Sequence, residues 1–98
     1  MTTETILQRA GEVLAPFSKG NSTPETNRLD VQIEASDLPA ATAVILSNNL
    51  GYLSAITPTD LGKEVNKLEV IYHFCEGAAI TSLRIHLPRE DQPDIPSV

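Results

Sequence analysis

With 98 residues, 41% of them hydrophobic and 20% charged, the chain has the composition of one small globular domain, which excludes a disordered segment and a protein with a second core. A net charge of -6, with seven scattered Lys and Arg residues and no basic run, speaks against a nucleic-acid partner, because phosphate binding needs clustered cations. A single cysteine excludes an internal disulfide, a self-contained iron–sulfur cluster and a cysteine-rich zinc site.

The N-terminal stretch "MTTETILQRAGEVLAPF" lacks the basic and apolar regions of a signal peptide, and no apolar run approaches the ~20 residues of a membrane helix. The expected location is cytoplasmic, with any membrane association made through a partner. Residues 4–15 predict a helix: Ile6, Leu7, Ala10, Val13 and Leu14 recur at helical spacing, and Thr2 or Thr3 suits the N-cap. Pro16 and Gly20 end it, and "SKGNSTPETNR" reads as an irregular polar loop. "RLDVQIEA" alternates, with Leu29, Val31 and Ile33 on one face and Asp30, Gln32 and Glu34 on the other, as a half-buried strand does.

"SDLPAATAVILSNNLG" predicts a second helix. Ser36 or Asp37 caps it, Pro39 sits in its first turn, Leu38, Ala41, Ile45 and Leu46 form its apolar stripe, and Gly51 takes the left-handed position at its end. "YLSAIT" predicts a short strand stopped by a turn at "PTDLG", where Asp60 is the turn former. Strands follow over about 68–75 and 79–87, and residues 88–98 form an extended, acidic, proline-rich tail. The expected fold is α+β: a two-layer sandwich of order α-β-α-β-β-β, built from residues 1–87, with a mixed sheet and both helices on one face.

The stretch "LEVIYHFCEGAAITSLRIHLPRE" holds the cysteine and both histidines. Leu68, Val70, Tyr72 and Phe74 share one face, and Thr81, Leu83, Ile85 and Leu87 match them on the next strand. A two-residue turn at Glu76–Gly77 would pair Cys75 with Ala78 and set Glu69 opposite Arg84. A four-residue turn keeps the same face match, and the shorter turn is preferred. The turns separate His73 from His86 by roughly 20 Å and about 13 Å respectively, too far for one metal ion. His73 and Cys75 share a face, but a catalytic thiolate–imidazole pair would also need an orienting group and an oxyanion hole. A buried structural cysteine is the favoured reading.

No glycine-rich phosphate loop, H-E-x-x-H or C-x-x-C is present. The carboxylates of "IEASD" and "EDQPD" read as solvated groups of a cap and a tail, and Tyr52 and Tyr72 as packing residues. No residue is therefore assigned a catalytic, cofactor-binding or metal-binding role. The face carrying Ile71, His73, Cys75, Ile80, Ser82 and Arg84 is expected to be an interaction surface, because a sheet apolar on both faces with helices on one needs a cover. The tail or a partner protein would supply it.

In order and spacing, "GYLSAITPTDLGKEVNKLEVIYHFCEGAAITSLRIHLPREDQPDIPSV" resembles the 30-kDa subunit family of respiratory NADH:quinone oxidoreductase. That family includes the matching subunits of membrane-bound energy-converting hydrogenases and formate hydrogenlyases. The resemblance covers residues 36–98 well and 1–35 loosely, and "IYHFCEGAAITSLRIHLPRE" leans towards the hydrogenase-type branch. The Glu-Arg-Glu and Asp-Leu-Phe-Gly-like segment that follows "IPSV" in the family is absent, so the sequence is expected to be either the N-terminal domain of a longer protein or a naturally short version. The resemblance implies a non-catalytic assembly subunit without a redox centre. It would pack on a large subunit related to nickel–iron hydrogenases, at the cytoplasmic face of a membrane complex, with iron–sulfur clusters in partner subunits. The competing readings are a stand-alone ligand-binding or regulatory α+β module and a small enzyme using Cys75 with His73.

Overall fold

The computed structural model describes residues 2–60, 62 and 67–88. Helix α1 spans Thr3–Leu14, and the Thr2 hydroxyl accepts the Thr5 N–H at 3.2 Å, which satisfies one of the free amides of the first turn. Ile6, Ala10 and Leu14, four residues apart, are its buried line. A 3₁₀ turn at Ala15–Phe17, containing Pro16, ends it.

The expected polar loop is instead strand β1, Gly20–Glu25, paired antiparallel with β2, Arg28–Gln32. All six residues of β1 are exposed, so no apolar alternation marks it in the sequence. It is an edge strand held by its ladder to β2, and the register breaks between Ser22 and Glu25, at Pro24, where a sheet interior would not tolerate proline.

Helix α2, Leu38–Ser47, follows a 3₁₀ turn at Ala35–Asp37 and carries Pro39 in its first turn. It buries Leu38, Ala41, Thr42 and Ile45, while Leu46, expected in the stripe, is 50% exposed. The buried set sits at i, i+3, i+4 and i+7, and Leu46, one residue further, falls off its flank. The left-handed residue is Asn49 (φ 55), not Gly51. Leu50 N–H reaches Ile45 C=O at 3.0 Å and Asn49 N–H reaches Leu46 C=O at 3.2 Å, the two bonds of a Schellman cap, with Leu50 and Ile45 both buried. Gly51 instead permits a close approach of strands, since a Cβ there would lie 3.1 Å from the Cys75 backbone.

Strand β3 runs Tyr52–Asp60, through the expected stop at Pro58, with a bulge at Ser54. As the other edge strand it can carry a proline. Asp60 does form a local turn, accepting the Gly62 N–H at 2.8 Å. Strands β4, Lys67–Glu76, and β5, Ala79–Pro88, make the predicted hairpin, but Glu76 pairs with Ala79 and Cys75 with Ile80. The turn is Gly77–Ala78. Gly77 (φ 59) takes the first turn position, where a II′ hairpin requires a positive φ. Glu69 therefore faces His86 and not Arg84. This is the register expected from the longer turn.

The five strands lie in the order β1-β2-β5-β4-β3, mixed because β2 and β5 are parallel. Residues of both helices join Leu29, Val31, Ile33, Val70, Tyr72, Phe74, Leu83 and Ile85 in one core, so both helices cover the same face, in a compact α+β domain. The chain order is α-β-β-α-β-β-β, the expected one with the β1 strand added.

Candidate interaction face

Period-2 alternation sends the residues between those core positions to the opposite face. Arg28, Asp30 and Gln32 of β2, Ile80, Ser82, Arg84 and His86 of β5, and Glu69, Ile71, His73 and Cys75 of β4 share it by register. Among the described elements none lies over it, since both helices pack into the core on the other side. Ile71 is buried to 7% exposure yet is no part of that core.

The six expected residues are thus brought onto one face, but its character is ionic where an apolar surface was expected. Asp30, 2% exposed, accepts Arg28 Nε at 2.6 Å and Arg28 Nη2 at 3.1 Å. Arg84 reaches across the parallel β2–β5 seam to Asp30 at 3.3 Å and across the β4–β5 ladder to Glu69 at 3.0 Å. His86 completes the row: Gln32 Nε2 donates to its Nδ1 at 3.3 Å, and its Nε2 donates to Glu69 at 2.9 Å. Charge-assisted bonds of this kind are among the strongest in proteins, so the row ties three strands together.

Beside that row, His73 sits between two hydroxyls, Ser82 Oγ at 2.9 Å from Nδ1 and Thr57 Oγ1 at 3.1 Å from Nε2. Burial holds its pKa below the ordinary 6.5; Arg28 and Arg84 push the same way, and Asp30 opposes them. Cys75 is half-buried, not buried as expected, and its Sγ shares a hydrogen bond of 3.1 Å with Ser54 Oγ at the β3 bulge, where β3 is an edge strand. The Cys75 and His73 side chains are each bonded to a different partner, an arrangement unlike a nucleophile–base pair.

Arg28, Asp30, Gln32, Glu69 and His86 are absent from the six face residues expected from the sequence. The links of Asp30 to Arg84 and of Gln32 to His86 depend on β2 lying beside β5, a pairing that local alternation does not encode. The available signal is the alternation of β2 itself, which puts Arg28, Asp30 and Gln32 together on its polar side.

The other candidates resolve simply. Glu34 of "IEASD" pairs with Lys19 at 2.8 Å, and that hydrogen bond and charge lower its pKa. The "EDQPD" carboxylates and the tail beyond Pro88 lie outside the described residues. Tyr72 is buried, which raises its pKa, but Tyr52 is 65% exposed and is no packing residue. Among the described residues no group of three or more His, Cys, Asp or Glu side chains could hold a metal ion, and no helix is long and apolar enough to cross a membrane.

No family model matches the sequence, and no curated protein does. The fold matches a chain in the solved structure of the membrane-bound sulfane sulfur reductase, an archaeal respiratory membrane complex, with a TM-score of 0.67 and 20% identity. The match covers 89% of this chain and 51% of that one, so this chain spans about half the length of its structural neighbour. At this identity the likeness establishes a shared fold.

Proposed function

We propose that the chain is a non-catalytic structural and assembly subunit, or the N-terminal domain of one, in a membrane-associated electron-transfer complex of the NADH:quinone oxidoreductase or energy-converting hydrogenase type. The observation that carries this reading is the fold shared with a chain of an archaeal respiratory membrane complex over 89% of the length. The resemblance of residues 36–98 to the 30-kDa subunit family points the same way. So does a sheet whose ionisable groups are engaged with one another: Asp30 with Arg28 and Arg84, Glu69 with Arg84 and His86.

The mechanism in this role is positioning. The chain packs on the large, nickel–iron-hydrogenase-like subunit and holds the geometry of the complex, on which electron transfer depends. Iron–sulfur clusters belong to the partner subunits, and the chain sits peripherally at the inner face of the membrane through them.

The test is to tag the protein in its native host, isolate it gently from solubilised membranes, and record its intact mass, co-purifying proteins and iron. Recovery with an iron-rich large subunit of the nickel–iron hydrogenase kind is the expected result. Recovery as a free, iron-free protein would overturn the reading in favour of a stand-alone α+β module.

A further inference from the structure

We infer that the neighbouring subunit docks on the sheet face opposite the helices, and that the surface it presents there is uncharged and able to form hydrogen bonds. The inference rests on the reading of the chain as an assembly subunit and adds where and how it assembles. Arg28 and Arg84 are matched on this face by Asp30 and Glu69, each carboxylate bonded to a guanidinium. These four formal charges cancel, so the net -6 of the chain comes from its other residues. Glu4, Glu12 and Asp37, against the single cation Arg9, stand on the helices and their flanks, a net acidic side. By register the further charges on this side among the described strands are Lys67, at the far end of β4, and Glu25, at the end of edge strand β1. They are opposite in sign and lie at the margin, so the balance holds.

Covering a surface strips water from its charges, and the cost is large for a charge left unpaired. Here each central charge already has its partner within the chain. The face can therefore lose water without stranding an ion, which the acidic helical side cannot do. Interface cores are correspondingly poor in charge. A polyanion, such as nucleic acid or an acidic membrane, gains nothing from a patch of zero net charge. A basic protein would be drawn to the acidic remainder. What complements the balanced face is a neutral protein surface, meeting the half-buried Ile80 with apolar groups and the hydroxyls of Thr57 and Ser54 with polar ones.

The experiment uses the tagged protein in its native host. Ala55→Arg, at an exposed edge-strand position paired with His73, and Ile80→Glu place an uncompensated charge on the face, while Leu46→Glu places one on the exposed flank of α2. Recovery with the large subunit is expected to fall by about tenfold or more for both face variants and to stay at the parent level for Leu46→Glu. The exposed position of Ala55 keeps the result independent of folding. Undiminished recovery of the face variants, or selective loss of Leu46→Glu, would overturn the docking face while leaving the assembly role standing. If the unsubstituted protein is recovered free, the assembly reading falls and this inference with it.

Discussion

His73 and Ser82 face each other across the β4–β5 ladder, with Nδ1 2.9 Å from Oγ, and the opposite ring nitrogen reaches Thr57 on β3. One imidazole thus spans three strands. Burial, then Arg28 and Arg84 against the opposing pull of Asp30, hold its pKa below 6.5. With the folded pKa below the unfolded one, the unfolded chain takes up the proton first as the pH falls. The stability contribution of this group is therefore complete above the unfolded value of 6.5 and is lost as the pH falls through the folded value. An NMR titration should place the His73 midpoint below 6.5, and His73→Gln should remove that share of the acid dependence of the urea midpoint. A midpoint at or above the ordinary value would refute the account.

Asp30→Asn should destabilise the chain by about 3 kcal/mol, the lower end of the range for breaking a buried pair, since the two arginines keep part of their water. Urea unfolding measures the loss. The double variant Asp30→Asn, Arg28→Leu should recover part of it, because one stranded cation is removed.

At the end of α2, Asn49 holds a left-handed conformation at φ 55. Asn49→Gly should leave stability unchanged or slightly raised, whereas Asn49→Val should cost about 1–2 kcal/mol in thermal unfolding. Equal effects from both variants would show that the cap geometry is wrong.

Core and flank separate cleanly in the same kind of measurement. Phe74→Ala removes a fully buried ring and should cost about 3–5 kcal/mol. Leu46→Ala, at a half-exposed position, should stay within about 0.5 kcal/mol of the parent.

Both helices, β2 and the β4–β5 hairpin are legible in the sequence because each carries an apolar pattern with the right period. Strand β1 is not, since Gly20–Glu25 bury nothing and are strands only by virtue of the neighbour they bond. The length of β3 is hidden for the opposite reason: Pro58 reads as a stop, and only an edge position makes it tolerable. The hairpin register turns on one residue. Gly77 suits either turn position by composition, and the first position shifts every cross-strand pair. The six face residues follow from alternation alone, whereas the ionic row needs strands far apart in sequence to become neighbours.

That adjacency bears on how the chain is made. Strand β5, the last of the described strands, sits at the middle of the sheet, with β1–β2 on one side and β4–β3 on the other. During synthesis the ribosome therefore delivers two separate half-sheets, each with a bare edge, before it delivers the strand that joins them. Until Ala79–Pro88 emerges, neither half has its full set of main-chain partners, and both bare edges are open to other nascent chains. Closure is a long-range event that waits for β5, and non-local pairing of this kind slows folding.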